Sequence, residues 1–204
     1  MPEPHHQSLT ALAHQRLADV LAPGDIAIDA TAGNGHDTLF LAQQIAPGGR
    51  VHAFDIQPKA LEATHMRLVQ AGLAKHVTLH LAGHEKMREH LPGDLTGQVA
   101  AVTFNLGYLP GGDHDLVTCP DTTLAALVQA STLLHPGRLL SVLVYRGHAG
   151  GREEAEAVAD WFAGRTGLDT EVYDSPGPIA YLARRACRSP AKTVKKQETH
   201  PFCG

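Results

Sequence analysis

Cysteine is scarce in this sequence: Cys119, Cys187 and Cys203 are scattered over 204 residues, with no CxxC pair. That excludes a zinc ribbon or a disulfide framework and implies a reducing compartment, with the cytoplasm as the expectation. Aromatic residues make up 5% of the chain, too few for a base-stacking surface over much of the protein. No apolar run approaches the ~18 residues that a membrane helix requires. The opening segment MPEPHHQSLTALAHQRL lacks a basic stretch leading into an apolar core, so neither a leader nor membrane association is expected. Positive charge is short as well: the net charge is −4, which argues against nucleic-acid binding by bulk electrostatics. The deficit is uneven, because Arg184 to Gly204 holds six basic residues against one acid, Glu198, leaving 11 basic and 20 acidic residues in the body. Such a tail suits phosphate contact, and equally serves as a solubilising extension.

What is present is a regular alternation of apolar runs and helix-like stretches. A first helix spans about 8–21, its periodic Leu and Ala stopping at Pro23-Gly24. Strands are expected at Ile26 to Asp29, Val51 to Asp55, Val77 to Leu81, Val99 to Phe104 and Leu139 to Tyr145. Helices are expected at Asp37 to Ile45, Pro58 to Ala71, Glu85 to Leu91, Asp121 to Leu134 (capped by Asp121 or Thr122) and Glu153 to Arg165. Then Thr170 to Tyr173 and Ile179 to Ala183 follow as strands joined by Ser175-Pro176-Gly177-Pro178, with no helix between them. Alternating strands and helices imply an α/β fold with a parallel sheet and right-handed crossovers. The last pair implies one antiparallel strand. Seven mostly parallel strands with a final antiparallel one match the Rossmann-like, class I S-adenosylmethionine-dependent methyltransferases. Residues 1–186 are expected to form one domain and 187–204 a loose basic tail.

The segment Asp29-Ala30-Thr31-Ala32-Gly33-Asn34-Gly35 lies between a strand and a helix, the context of a nucleotide-type glycine turn. A dinucleotide fingerprint would need a third glycine where Thr38 stands, which weakens a nicotinamide reading. Asp29, at the strand end, can face the ammonium of a methionine moiety, whereas it would repel a pyrophosphate. Asp37 and Thr38 could contact a cofactor or cap the helix. Asp55 ends the second strand and can accept both ribose hydroxyls of an adenosine, in nicotinamide and S-adenosylmethionine sites alike.

In open α/β sheets, ligands sit beyond the carboxyl ends of the strands. Gly83-His84 lies past the third strand, where an adenine is expected; His84 could instead cap a helix or sit at the surface. His76, His80, His84 and His90 would not share a helical face, so no metal site is expected. After the fourth strand comes Asn105-Leu106-Gly107-Tyr108-Leu109-Pro110-Gly111-Gly112-Asp113, which resembles the Asn-Pro-Pro-Tyr loop of amino-directed methyltransferases. An amine nucleophile must share its protons and aim its lone pair at the sulfonium methyl. The Asn105 carbonyl oxygen can accept those N–H bonds and fix the geometry, which is catalysis by positioning. Tyr108 can pack on a substrate base or be a structural tyrosine. Asp113 and His148 are candidates for taking the proton, and both could instead order their glycine-rich loops. Cys119, beside Pro120, reads as a turn residue.

Three segments taken together, Asp29 to Thr38, Asn105 to Asp113 and Tyr145-Arg146-Gly147-His148-Ala149-Gly150-Gly151, resemble the family long labelled "putative rRNA methylase". The resemblance runs from about Leu12 to Arg184. Characterised members of that family methylate transfer RNA, converting 5-aminomethyl-2-thiouridine at the wobble position to its 5-methylaminomethyl form. What the resemblance implies is S-adenosylmethionine as donor, the anticodon loop of tRNA as partner, and no metal; a homodimer is compatible with it. By position it implies a cofactor lined by Asp29, Thr31, Gly33, Asn34, Gly35, Asp37 and Thr38. Asp55, Ile56, Gln57, Gly83, His84, Asn105, Leu106 and Gly107 would complete that lining. The acceptor side would be formed by Asn105, Tyr108, Asp113 and His148. Arg146 departs from the family pattern, which has a histidine there. The alternatives are a methyltransferase acting on ribosomal RNA or small amines, a nicotinamide-dependent oxidoreductase, and a non-catalytic binding module.

Overall fold

The computed structural model describes residues 8–109, 111 and 116–187. The basic tail beyond Cys187 and the expected proton acceptor Asp113 lie outside them. In chain order the elements are α1 (Leu9–Ala18), β1 (Ile26–Asp29), α2 (His36–Ile45), β2 (Arg50–Asp55), α3 (Pro58–Gln70), β3 (Val77–Leu81) and α4 (Met87–His90). They continue as β4 (Val99–Leu106), α5 (Pro120–Leu133), β5 (Leu134–Tyr145), α6 (Gly151–Ala163), β6 (Leu168–Asp174) and β7 (Pro178–Arg185).

The strands form one seven-stranded sheet in the order β3-β2-β1-β4-β5-β7-β6. β7 runs antiparallel to both β5 and β6, and the other four pairings are parallel. The antiparallel strand therefore sits inside the sheet, inserted between β5 and β6. Strand alternation sorts the core into two layers. Ile28, Val102, Phe104, Val142 and Val144 face a layer closed by α5 and α6. Ala27, Ala101, Leu139 and Leu143 face a layer closed by α1 and α2. Both faces of β4 and β5 are thus covered, which is why these strands read as unbroken apolar runs.

Several boundaries differ from the sequence expectation, each for a local reason. α1 stops at Ala18, although the Leu21 amide still donates to the Leu17 carbonyl in a last frayed turn. β4 continues through Asn105 and Leu106, because its pairing with β5 extends to Leu106↔Val144. β5 begins at Leu134: Val99 pairs with it across a register shift that absorbs Pro136 and Gly137. The helix expected at Glu85 is a 3-10 turn (His84–Lys86) followed by the single turn α4. α5 is capped by the extended Cys119, not by Asp121 or Thr122; the Thr122 hydroxyl donates back to the Cys119 carbonyl. α6 starts at Gly151, after the left-handed Gly150.

The chain reverses its direction of winding between β1 and β4, so the switch point lies between the ends of these two strands. α6 also anchors the loop that covers this point. Glu154, fully buried, accepts hydrogen bonds from the hydroxyls of Thr118 (2.6 Å) and Thr123 (2.7 Å). Beyond β4 the chain doubles back, with Tyr108 bridging Val117 and the Thr118 amide donating to the Gly107 carbonyl at 3.0 Å.

Candidate active site

A cleft of about 730 Å³ opens over the carboxyl ends of β1, β2 and β4. Its floor is the glycine turn after β1. Gly33 (φ +52°) and Gly35 (φ +77°) take left-handed conformations, and Gly35 abuts α3. The Gly33 amide donates to Asp55 Oδ2 at 2.9 Å, and the Gln57 amide donates to Asp55 Oδ1 at 2.8 Å. Asp55 thereby staples the turn to the end of β2, and each oxygen keeps a second acceptor position. Ile56 and Gln57 line the cleft beside it, and Ile56 is 54% exposed there. Thr31, Asn34, Gly83 and Gly107 also lie on the wall.

Not every expected residue faces this cleft. Asp29, Gly35, Thr38 and Leu106 are not on its wall. Asp29 is fully buried behind the turn, accepting from the Thr38 hydroxyl (2.6 Å) and the Thr31 amide (3.2 Å). Its carboxyl organises the turn from beneath. The carboxylate that does face the cleft from this region is Asp37, in the first turn of α2. Neither Asp37 nor Thr38 caps that helix.

Asp37 is held by two neighbours from distant parts of the chain. His14 on α1 lies with its Nε2 2.7 Å from Asp37 Oδ1, and Asn105 Nδ2 donates to Asp37 Oδ2 at 2.7 Å. The His14 ring is stacked on Phe40, with centroids 4.0 Å apart. His14 and the cleft-lining Thr10 were not anticipated. Their signal is the i, i+4 spacing of two polar residues on a helix, which puts both on one face. Burial alone would raise the Asp37 carboxyl, but the bonds from His14 and Asn105, with the His14 and His36 imidazoles nearby, hold it below its ordinary range. Asp29 goes the other way. Burial, reinforced by the charge of Asp37, pushes it up to about 7 despite its bonds to Thr38 and Thr31.

This separation carries a stability prediction. Between its ordinary value of 3.8 and about 7, the folded state retains a proton on Asp29 that the unfolded chain has lost. Stability from this group therefore falls as pH rises through that window. Asp29→Asn, which has no proton to lose, is expected to gain on the wild type between pH 4 and pH 8 in urea denaturation. A constant difference at all pH values would mean that Asp29 titrates in the fold as it does in the unfolded chain.

Asn105, next to last in β4, lines the cleft, its backbone amide donating to Thr31 Oγ1 at 2.7 Å. With Nδ2 donating to Asp37, its Oδ1 meets no donor among the described residues. His84 lines the far end of the cleft. Burial holds its imidazole below the usual range, and its Nε2 is buried without a hydrogen-bond partner. Tyr108 is 40% exposed at the cleft mouth. His148 stands just outside, on a neighbouring groove, its ring 6.1 Å from that of Tyr108. Its Nδ1 bonds to the Ala149 carbonyl at 2.9 Å, which requires the proton on Nδ1 and leaves Nε2 as acceptor. Cys119 also lines the cleft, beyond the turn role expected for it. Of the other histidines, His52, His80 and His90 gather around Phe54, with His52 Nδ1 3.1 Å from His80 Nε2, and His76 points to the Gly49 carbonyl. Among the described residues no group of three or more His, Cys, Asp or Glu is arranged to hold a metal ion, and no helix is long and apolar enough to cross a membrane.

Comparison with known proteins agrees with this architecture. The family described as "Putative rRNA methylase" matches residues 51–175. A curated relative from Arabidopsis thaliana, "tRNA (mnm(5)s(2)U34)-methyltransferase, chloroplastic", is 45% identical over 163 residues, 76% of this chain and 59% of its own length. The chain thus spans about three-fifths of that relative. A solved structure from Clostridium thermocellum, called a "putative rRNA-methylase", superposes with a TM-score of 0.82 at 36% identity, covering 88% of this chain and 98% of the other. A "putative methyltransferase" from Streptococcus mutans, solved in complex with SAH, gives 0.77 at 32% identity, with 88% and 98% covered.

Proposed function

Because the chain belongs to the family described as "Putative rRNA methylase", we propose that it is an S-adenosylmethionine-dependent N-methyltransferase of the cytoplasm. Its substrate in this reading is the amine of 5-aminomethyl-2-thiouridine at the wobble position of tRNA. The plant relative, named as a methyltransferase of that tRNA nucleoside, supports the substrate. The observation that carries the chemistry is Asn105: its Nδ2 is tied to Asp37, so its Oδ1 is presented at the cleft as an acceptor for an N–H group.

The residues of the cleft suit the cofactor. Asp55 keeps acceptor positions for ribose hydroxyls, exposed Ile56 offers an apolar face for a purine, and Gly83 and His84 form the wall beyond β3. Asp37 supplies the carboxylate for an ammonium, the role expected of Asp29. When bound, S-adenosylmethionine supplies a methyl group already activated by its sulfonium, so no covalent nucleophile is required of the protein.

What the chain contributes is position. Asn105 Oδ1 accepts one N–H of the neutral amine and aims its lone pair; Tyr108 packs against the base at the cleft mouth. The N–C bond forms as the C–S bond breaks, leaving a secondary ammonium whose proton must depart. The His148 Nε2 is buried beside Gly107 and Gly151, outside the cleft, so the proton passes to water at the open cleft mouth.

The test is to incubate the purified protein with S-adenosylmethionine and tRNA carrying 5-aminomethyl-2-thiouridine, and to analyse the nucleosides by mass spectrometry. A nucleoside one methyl group heavier is expected. Absence of product, with the cofactor bound, would reject this substrate and turn the search to ribosomal RNA, which the family's description names.

A further inference from the structure

A second hollow, of about 790 Å³, adjoins the cleft on the side of α6 and the β6–β7 hairpin. The two share Tyr108 and Tyr145, which are 40% and 37% exposed and stand as a ridge between them. Its floor includes the apolar Ile179 and the buried Tyr181; its rim carries Arg146, Arg152 and Glu156. We infer that this groove holds the nucleotide flanking the target uridine, with its base against the tyrosine ridge and its phosphate at Arg152. The inference rests on the RNA reading above.

The two arginines are in different situations. Arg146 is already used: it donates to Asp174 Oδ1 at 2.9 Å and to the carbonyls of Ser175 and Gly177, tying the β6–β7 hairpin to the end of β5. It builds the wall. Arg152 is exposed, and among the described residues it makes no side-chain hydrogen bond or ion pair. It also occupies the first turn of α6, where the helix dipole disfavours a cation and no side chain caps the free amides. An anion placed there meets both the guanidinium and the helix end.

Continuity selects the occupant. A strand whose target base enters the cleft past Tyr108 must carry its neighbour over the ridge, and single-stranded bases are held on aromatic rings with phosphates on arginine. Glu156, on the same face of α6, confines the positive potential to the neighbourhood of Arg152. One phosphate contact is therefore expected, not a basic track.

The count is measurable, because each phosphate contact adds about one unit to the slope of log affinity against log salt. Binding of an anticodon stem-loop bearing 5-aminomethyl-2-thiouridine would be followed by fluorescence anisotropy from about 50 to 200 mM salt, with S-adenosylhomocysteine present. Arg152→Ala is expected to weaken binding about tenfold at the lowest salt and to reduce the slope by about one. Arg152→Lys should restore the slope, and Lys75→Ala, near the opposite sheet edge, should change neither quantity. Matching thermal transitions establish that the variants are folded. An unchanged slope in Arg152→Ala overturns the groove, as does failure of the wild type to bind the stem-loop. If methylation of tRNA is observed while the slope is unchanged, the groove alone is wrong. If the slope responds to Arg152 while the wild type gives no methylated product, the groove stands and the proposed reaction fails.

Discussion

Asn105→Ala is expected to cut turnover by about 10²- to 10³-fold while leaving the fold and cofactor affinity close to wild type. The backbone bond from Asn105 to Thr31 Oγ1 does not depend on the side chain, so the end of β4 stays in register. Asp37 loses one partner but keeps His14. What disappears is the acceptor that orients the amine, whose value lies in the transition state rather than in binding. Single-turnover rates with saturating cofactor, alongside calorimetric binding of S-adenosylhomocysteine, separate the two effects. Asn105→Asp should be no better, because it sets a second carboxylate against Asp37 where an N–H donor stood. Turnover within about threefold of wild type for Asn105→Ala would remove this residue from the chemistry, since positioning effects are larger than that.

Gly35→Ala is expected to destabilise the protein by about 2–5 kcal/mol, from the left-handed backbone and the overpacking together. A Cβ at Gly35 would lie 2.8 Å from Thr64 Cα, a backbone atom of α3 that cannot swing aside. Displacing α3 would also strain the bond from the Thr64 hydroxyl to the Gly33 carbonyl, 3.0 Å long, which holds the turn under the cleft. Gly24→Ala is the natural comparison, because Gly24 has φ +93° and nothing within 4 Å of its Cβ position. It should incur only the backbone cost of about 1–2 kcal/mol. Equal losses for the two variants in urea denaturation would mean that α3 yields to Gly35→Ala, and that close approach is not why glycine stands there.

Most of the architecture was legible in the order of residues. Strand and helix periods are local properties, so the alternation of elements, the glycine turn and the helix-free hairpin at the end could be placed without coordinates. Even the antiparallel strand follows, because four turn residues between two apolar runs leave no room for a crossover helix. Element ends were less legible. Leu134 joins β5 because β4 offers it a partner, and Pro136 and Gly137 would otherwise mark a loop.

The site divides along the same line. That Asp55 and Asn105 stand at a cleft follows from sequence alone: both lie at strand ends of a parallel sheet, and such ends face the ligand side. Which acid of the first motif turns to the cleft was decided only by packing. Asp29 and Asp37 are both anionic in the unfolded chain, yet one is sealed behind the turn and the other is held ionised by His14 and Asn105. Burial and charge partnership belong to the neighbours a residue acquires, not to the residue. The same holds for His14, brought to Asp37 from 23 positions away, and for Glu154, a surface-looking acid that instead pins the loop over the site. Periodicity therefore determined the frame and the positions at its edge. The folded packing determined which of those side chains face one another, because only there do desolvation and distance set their charge.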